Sequence, residues 1–408
     1  MSAVAQSFEP TRSEVLACLL SGEETDVHEL AAKTGLSQST VFRSVDQLLQ
    51  VPNLLHRRVA REGGRGRPTT KVMLNRRYSV LVGVVLDSAV SRFILTDVLG
   101  RAWGERKLTT PPALTAAELA DWVVTETRDL VAELGEGSPL GALAVGVPGA
   151  LTPDQEQVVG SHNLPIIGGP DFIDRIRRTM HVPVRFENDS HAALLGELSF
   201  GAVSASGVVV LVTMSTGVSA AIAVEGEILV GSTGSLGEFG RLTLTADGLR
   251  VEDLLSEAGL NKHLRARGHP IDDSVGLAAA VEEDPRIRRQ MDDAFDHLIA
   301  IIALAYEPHT ILVTGGFSAL FPENRLASVA RRVEDQVLVR TDIRRADLGD
   351  DSALLGAISL ASAARFAEFG LTDQQLAALP PATLAPVAPS GAPVTATSAR
   401  PPMPVDAP

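Results

Sequence analysis

The alternation of apolar and polar positions predicts three helices and two strands within the first 78 residues. The first helix spans residues 10–22 with one apolar face, and the second ends at Thr34-Gly35, where glycine is a common C-terminal cap. Ser37 can cap a third helix, Gln38 to Leu49, whose apolar positions face inward. Two helices joined by a tight glycine turn are typical of a helix-turn-helix.

The outward face of the third helix carries residue types that contact base edges and phosphates. These residues are Gln38, Ser39, Thr40, Arg43 and Ser44. Two strands follow, joined by a basic turn whose glycines let the backbone approach DNA and whose Arg65 and Arg67 can enter a narrow minor groove. A structural bundle helix and a solvated loop are the plainer interpretations. The combination predicts a winged helix, residues 1–78, that binds double-stranded DNA.

The distribution of charge supports this prediction. The chain has a net charge of −14, yet residues 1–78 carry 11 Lys and Arg against 8 Asp and Glu. Eight of those basic residues lie within residues 53–78, beside a single acid, Glu62. A local basic stripe on an otherwise acidic chain is typical of a nucleic-acid contact at one end.

Two similar α/β units follow the predicted winged helix. Each opens with a hairpin of two apolar strands and continues through a long helix into a further strand that ends near glycine. The segments are 80–86, 92–98, 116–134 and 143–147 in the first unit, and 208–213, 220–224, 287–306 and 310–313 in the second. Such a repeat predicts a β-rich α/β domain over residues 79–370, with a cleft between its halves. Nine prolines among residues 380–408 predict that residues 371–408 form a disordered tail.

The stretch from Phe186 to Glu197 combines the end of a strand with the start of a helix. Apolar alternation stops at Asn188-Asp189, and helical spacing begins at Ala192. Open α/β sheets contact their ligands at such strand ends, and an amide beside a carboxylate can hold the hydroxyl groups of a polyol. Asn, Asp and Ser are also favoured helix N-caps, so capping is the alternative role. One residue can serve both purposes.

Composition excludes several classes of protein. The lone Cys18 rules out an intrachain disulfide framework and a cysteine-rich zinc site. The sequence shows neither a signal peptide nor an apolar stretch long enough to span a bilayer, so we expect a cytoplasmic protein. Because aromatic residues make up only 4% of the chain, the core must consist mainly of Ala, Val, Leu and Ile.

Seven short motifs follow one another between residues 145 and 357. They are Val145-Gly146-Val147-Pro148-Gly149, Ser161-His162-Asn163-Leu164, Glu187-Asn188-Asp189, Thr216-Gly217, Gly237-Glu238-Phe239-Gly240, Val313-Thr314-Gly315-Gly316, and Leu348 to Ala357. In this order they resemble the ROK family, which joins sugar kinases with sugar-responsive repressors. The resemblance covers residues 80 to about 366 and implies an actin-like, ribonuclease-H-like duplicated ATPase fold. An N-terminal winged helix with a Gly-Arg-Gly-Arg-Pro wing resembles the layout of the repressor branch.

The chain departs from the family at the phosphate loop of its kinases. That loop is Asp-x-Gly-Gly-Thr on the first hairpin, but Val85 stands at the Asp position, and Asp87, Ser88 and Ala89 replace Gly-Gly-Thr. A phosphate cradle needs glycines and a hydroxyl or carboxylate to position phosphate and Mg²⁺. Asp87 instead puts a negative charge where phosphate would lie. We therefore expect no kinase activity, no catalytic residue and no cofactor.

A second departure concerns the structural zinc of the family. Arg241 replaces the zinc-binding His, and residues 243–250 contain no cysteine, whereas a structural site needs four ligands. We therefore expect no metal.

The sugar-contacting positions of the family are better kept. By the resemblance they map to Asn163, Asn188, Asp189, Glu238, Arg241 and Glu252. Arg241 is a substitution that either pairs with neighbouring carboxylates or favours a ligand carrying a phosphate or carboxylate. The loop before Glu252 is rebuilt relative to the family.

These features predict a ROK-type DNA-binding transcriptional regulator, by analogy a repressor, that senses a sugar or sugar derivative as a homodimer or homotetramer. We expect Asp189 to grip hydroxyl groups without turnover. One alternative is an ATP-dependent sugar kinase with Asp189 as its general base. The other is a ROK regulator that no longer binds a sugar.

Overall fold

The N-terminal residues form a head of three helices and a three-stranded sheet. The structure is a computed structural model that describes residues 10–60, 69–112, 115–161, 163–266, 274–372 and 376. The elements of the head are α1 (Pro10–Leu19), β1 (Thr25–Asp26), α2 (Val27–Thr34), α3 (Gln38–Leu49), β2 (Leu55–Ala60) and β3 (Thr69–Leu74). The predicted helix-turn-helix and the two strands after it are confirmed. The turn of the wing, residues 61–68, lies outside the described residues.

Side-chain hydrogen bonds set the boundaries of α2 and α3. The Asp26 carboxylate accepts from the backbone N–H groups of His28 and Glu29 at 2.8 and 3.0 Å, while the Glu29 carboxylate accepts from the Asp26 N–H at 3.3 Å. This capping box starts α2. Gly35 ends it at φ 71°, a left-handed conformation that glycine adopts at little cost. Ser37 then caps α3 by accepting from the Thr40 N–H at 3.2 Å.

The inner face of α3 packs into the core of the head. Val41, Val45 and Leu48 are buried there. Ser44, which we expected on the outward face, is only 3% exposed, so that expectation is wrong. Its position explains the burial, because residue 44 lies three residues after Val41 and four before Leu48 on the same side of the helix.

The next part of the chain, residues 80–188, forms lobe I around a five-stranded sheet ordered β10-β7-β4-β5-β6. Its elements are β4 (Val80–Val85), β5 (Val90–Asp97), β6 (Ala102–Thr109), α4 (Ala116–Leu134), β7 (Leu140–Val147), β8 (Ala150–Leu151), β9 (Val158–Val159), a 3-10 turn (Pro165–Ile167), α5 (Asp171–Thr179) and β10 (Val184–Asn188). The edge strand β6 was not predicted from the sequence. Its polar side chains alternate between exposed and partly buried positions, without an apolar run.

Residues 208–345 form lobe II around a second five-stranded sheet, ordered β13-β12-β11-β14-β15. Helix α6 (Asp189–Phe200) leads into it. The elements of the lobe are β11 (Val208–Met214), β12 (Val218–Val224), β13 (Glu227–Ile228), a 3-10 turn (Phe239–Arg241), α7 (Val251–Leu255), α8 (Glu257–Ala266), α9 (Ser274–Glu283), α10 (Pro285–Tyr306), β14 (Thr310–Thr314), a 3-10 turn (Gly316–Leu320), α11 (Glu323–Val337) and β15 (Asp342–Arg345). A last 3-10 turn (Gly349–Asp351) leads into α12 (Ser352–Ala367). None of the helices in the described ranges has the length and apolar character needed to cross a membrane.

The two sheets repeat one pairing pattern. In lobe I, β4 pairs antiparallel with β5 and parallel with β7, which pairs parallel with β10. In lobe II, β11 pairs antiparallel with β12 and parallel with β14, which pairs parallel with β15. The predicted duplicated α/β fold of the actin-like ATPase type is therefore confirmed.

Helices α6 and α12 lie between the two sheets. Ala193 and Leu194 of α6 pack against the lobe II sheet. Leu355 and Ile358 of α12 pack against the lobe I sheet. Each lobe thus contacts the other through one of these two helices, so their mutual packing determines how the lobes are arranged.

Two glycines, Gly196 of α6 and Gly356 of α12, allow the close contact between these helices. A Cβ atom on Gly356 would overlap the carbonyl oxygen of Ala192, and one on Gly196 would overlap the carbonyl oxygen of Ser352. The buried Glu197 carboxylate fixes the same contact, accepting from the Ser352 hydroxyl at 2.6 Å. The two helices therefore approach each other more closely than any larger side chain would allow.

The end of α12 and the residues just after it enter the head. Phe366, Phe369 and Leu371 are buried in the same apolar cluster as Leu16 of α1. The Ser13 hydroxyl donates to the carbonyl oxygen of Phe369 at 2.8 Å. Packed chain thus continues to Leu371, the residue at which we expected the tail to begin. One helix therefore joins the core of the head to the packing between the lobes.

Candidate functional site

A cavity of about 380 Å³ lies between lobes I and II. Asn188 and Thr213, at the carboxyl ends of β10 and β11, belong to its wall. All six residues proposed from the sequence to contact a sugar line this interlobe cavity: Asn163, Asn188, Asp189, Glu238, Arg241 and Glu252. Its volume lies in the range of small-molecule sites.

Asn188 is the N-cap of α6. Its side-chain oxygen accepts from the backbone N–H groups of Ser190 at 2.9 Å and His191 at 3.1 Å. Its Nδ2 donates to the carbonyl oxygen of Gly149 at 2.9 Å. The capping interpretation is therefore correct for Asn188. Asn188 therefore caps α6 and also lines the cavity.

Asp189, the first residue of α6, presents a partly buried carboxylate to the cavity. The pKa of this group is raised to about 6, chiefly by burial and also by the carboxylates of Glu238 and Asp87, while the Ser190 N–H and His191 oppose the rise. Removal of the carboxylate from water is the largest cause. A ligand hydroxyl that donates to Asp189 would restore the hydrogen bonding that burial removes.

We expect the Asp189→Asn variant to be more stable than the wild type at pH 7. Because the folded pKa is raised, the folded chain keeps this proton between about pH 4 and pH 6, whereas the unfolded chain has lost it. Stability therefore falls as pH rises through that window, by about 1–2 kcal/mol for a partly exposed group. Urea denaturation from pH 4 to pH 8 should show the variant gaining on the wild type as pH rises. Parallel stability profiles would contradict this assignment.

Glu238 and Arg241 flank the 3-10 turn Phe239–Arg241 at the edge of the cavity. Their side chains lie 3.5 Å apart, from Arg241 Nε to Glu238 Oε2, and the arginine side chain is 53% exposed. This distance and exposure describe a loose ion pair. The pairing interpretation of Arg241 thus describes its Nε contact, and the same residue also lines the cavity.

Arg250 is a cavity residue that the sequence did not reveal. The shortened segment 243–250 forms a tight hairpin in which the Leu244 N–H donates to the Leu249 carbonyl at 2.7 Å. The hairpin delivers Arg250 to the cavity, where its Nη1 lies 3.4 Å from Glu252 Oε1. Within the described ranges, no three His, Cys, Asp or Glu side chains are placed to hold a metal ion. A second guanidinium thus joins that of Arg241 at the cavity.

A hydrogen bond spans the mouth of the interlobe cavity. Asn163 of lobe I donates through Nδ2 to the hydroxyl of Thr216 in lobe II at 2.8 Å. Deeper in the cavity, the hydroxyls of Ser190 and Ser219 lie 2.6 Å apart. Thr216 belongs to a motif noted in the sequence, but only the fold shows that it faces Asn163. These contacts join lobe II to Asn163 of lobe I and to Ser190 of α6 across the cavity.

The surface of the head presents the other candidate site. Gln38, Ser39 and Arg43 are exposed on α3, and Thr40 is partly exposed with its hydroxyl 2.9 Å from the Ser37 hydroxyl. Phe42 is also exposed on this face, although we did not select it from the sequence. The helical spacing would have found it. Arg65 and Arg67 lie outside the described residues.

Comparison with known proteins decides which family the lobes represent. The profile of the ROK family matches residues 82–364, well over half of the chain. The chain belongs to the ROK family. A second profile, that of the arsR family of bacterial regulatory proteins, matches residues 9–51 of the head. This ROK protein therefore has a regulator-like architecture, with a helix-turn-helix before the family domain.

Individual ROK relatives include both an enzyme and a repressor. The bifunctional enzyme NanE/NanK of Brucella melitensis is 27% identical over 288 residues, which cover 68% of this chain and 54% of that enzyme. The xylose repressor of Bacillus subtilis is 28% identical over 226 residues, which cover 54% of this chain and 56% of the repressor. The chain thus spans about half the length of these relatives.

A solved structure resembles nearly the whole of this ROK chain. The crystal structure of a ROK family transcriptional regulator, described as a homolog of the E. coli MLC protein, superposes with a TM-score of 0.71 at 18% identity. The superposition covers 90% of this chain and 99% of that regulator. The likeness establishes the fold, including the placement of a head before the two lobes.

The position of the ROK kinases' phosphate loop is built differently in this chain. Val85, which the motif resemblance aligns with the carboxylate of that loop, ends β4, and Asp87 lines the interlobe cavity. The Asp87 carboxylate accepts from the Ala89 N–H at 2.8 Å, and the backbone carbonyl oxygen of Asp87 accepts from the Thr110 hydroxyl at 2.6 Å. These two hydrogen bonds stabilise the turn that follows β4.

Proposed function

We propose that this protein is a DNA-binding transcriptional repressor of the ROK type that senses a sugar or a sugar derivative. One observation carries the proposal: the same chain contains a helix, α3, with an exposed polar face and a polar interlobe cavity. Helix α12 connects the two parts, because it packs on lobe I and ends in the head. As a homodimer or homotetramer it would place one head on each half of a paired operator. Binding to chromosomal DNA would place it in the cytoplasm.

We propose that the head, residues 1–78, reads the operator through α3 and the wing. Gln38, Ser39, Thr40 and Arg43 would contact base edges and phosphates in the major groove. Arg65 and Arg67 of the wing would enter the minor groove. The ROK domain, residues 79–370, would bind the effector, and the tail proposed for residues 371–408 would begin only after the packed Leu371.

The effector would bind among the six cavity residues. Asp189 and Glu238 would accept hydrogen bonds from sugar hydroxyls, and Asn163 and Asn188 would donate to them. Arg241 lies beside Glu252 and Arg250 in the cavity and is compatible with two classes of ligand. A neutral sugar suits an Arg241 that stays paired with Glu238, and a phosphorylated or carboxylated sugar suits one whose Nη groups bind the anion.

Closure of the cavity would link the effector to DNA. A sugar that bridges the lobes would compete with the contact between Asn163 and Thr216 and would shift lobe II against lobe I. Because α12 packs on lobe I and ends inside the head, that shift would change the spacing of the two heads in the oligomer. The two binding sites would then be coupled energetically in both directions.

A sugar kinase is the alternative, favoured by the presence of an enzyme among the relatives. We propose that the chain does not catalyse phosphoryl transfer, since Val85 removes a carboxylate and Asp87 adds a negative charge beside Asp189. Without a bound phosphoryl donor, Asp189 would have no reaction partner as a general base. A coupled ATP assay over a panel of hexoses would overturn this proposal by showing turnover.

We expect the full-length protein to shift a DNA fragment from its own upstream region in a gel assay. The Arg43→Ala variant should bind about tenfold more weakly, because one arginine contact to DNA contributes about 1–3 kcal/mol. Arg340→Ala, an exposed arginine outside the head, serves as the matched control and should bind like the wild type. The absence of a specific shift by the wild type, with or without sugars, would count against the whole proposal.

A further inference from the structure

The exposed face of α3 contains an aromatic side chain. Ser39, Phe42, Arg43 and Asp46 follow the spacing i, i+3, i+4, i+7 and are all exposed, whereas the opposite face is buried in the head. The Phe42 side chain is 64% exposed. It therefore lies in the middle of the face that the helix-turn-helix geometry turns toward DNA.

This exposure is unusual for the chain. Every other phenylalanine in the described part of the chain is buried or partly buried. A phenylalanine ring forms no hydrogen bonds with water, and its burial against another apolar group lowers the free energy. We therefore expect a binding partner to cover Phe42. The group that covers Phe42 must be apolar and must belong to a partner that a basic surface can bind.

The neighbours of Phe42 restrict what that contact can be. Arg43 on α3 and the exposed His56 and Arg57 on β2 suit the head to a polyanion, whereas the neighbouring Arg58 pairs with Glu24. Asp46, one turn farther along α3, would be repelled by phosphates, which leaves the N-terminal half of α3 to enter a groove. In the major groove, the C5-methyl group of thymine is the apolar group that base pairs present.

We propose that Phe42 packs against the C5-methyl group of a thymine in each operator half-site and so selects thermodynamically for thymine at that position. The inference rests on the proposed DNA-binding function and adds a residue that reads sequence through an apolar contact. Gln38 and Arg43 would read neighbouring positions through hydrogen bonds, whereas Phe42 discriminates by the presence or absence of one methyl group.

The test removes the methyl group from either side of the contact. In the operator fragment bound by the full-length protein, each thymine is replaced in turn by deoxyuridine, which lacks only the C5-methyl group. For the wild type, one position per half-site should lose affinity by about fourfold, the effect of one buried methyl group. Phe42→Ala should bind the unmodified operator more weakly and should show no further loss with deoxyuridine at that position.

Leu304→Ala is the matched control, because Leu304 is 62% exposed on α10 of lobe II. It should bind both DNAs like the wild type. All three proteins should melt alike, since neither substitution removes a buried side chain. Equal losses with deoxyuridine for the wild type and Phe42→Ala, or no loss for the wild type at any thymine, would overturn the thymine contact while leaving DNA binding intact. If the wild type binds no operator, the proposed function fails with it.

Discussion

Substitution of Gly356 by alanine is expected to lower the free energy of unfolding by more than about 3 kcal/mol. Alanine normally stabilises a helix interior by about 1 kcal/mol relative to glycine, so helix propensity predicts the opposite sign. Packing decides, because the added Cβ would overlap the carbonyl oxygen of Ala192 and come within 2.9 Å of the Gly196 nitrogen. These are backbone atoms of a neighbouring helix that cannot rotate away, so α6 and α12 must separate.

The matched control for this variant is Gly316→Ala. The position is exposed, its φ is not positive, and a Cβ there meets no atom within 4 Å. Its stability should stay within about 1 kcal/mol of the wild type. Chemical denaturation of the three full-length proteins, followed by circular dichroism, measures the difference. A Gly356→Ala protein as stable as the control would show that α6 and α12 are not closely packed.

The second large effect is expected at the carboxylate of the interlobe cavity. Asp189→Asn should weaken binding of the effector by up to about 100-fold, because a hydrogen bond to an ionised group contributes about 1.5–3 kcal/mol and the amide keeps only one of the two acceptor oxygens. The same variant should be more stable than the wild type without ligand at pH 7. A gain in stability together with a loss of affinity distinguishes a ligand-binding carboxylate from a structural one.

A thermal-shift screen of neutral sugars, sugar phosphates and sugar acids identifies the ligand for this measurement, since a specific ligand raises the melting temperature. Titration calorimetry then compares the wild type with Asp189→Asn and with Asp335→Asn, an exposed acid on α11 that should not change affinity. Unchanged affinity in Asp189→Asn would remove this residue from the site. A screen in which no sugar stabilises the wild type would favour a regulator that has lost its ligand.

Elements with strong local signals were predicted closely from the sequence. The predicted helix 116–134 coincides with α4, which Thr115 and Glu118 start with a capping box. The helix-turn-helix was predictable because Gly35 and Ser37 mark the end of one helix and the start of the next. In such cases one or two neighbouring residues determine the boundary, so no tertiary information is needed.

Features that depend on tertiary contacts were not predictable. Strand β6 lies at the edge of its sheet and pairs only with β5. It lacks an apolar run, so its sequence carries no strand signal of its own. Arg250 reaches the interlobe cavity through a hairpin whose conformation cannot be predicted from the neighbouring residues. The contact between Asn163 and Thr216 joins residues 53 positions apart across two lobes. By contrast, the six proposed sugar contacts were found through motif order, and the structure brings them into one cavity.

The insertion of the end of α12 into the head affects how this protein can be recombined with others. The Ser13 hydroxyl bonds a residue 356 positions away, and Phe366 and Phe369 fill the core around α1. A head transplanted as a single N-terminal segment would leave these aromatic side chains behind and open a large apolar void. Functional chimeras between regulators should therefore exchange two segments together, the N-terminal 78 residues and residues 366–371, as one discontinuous cassette.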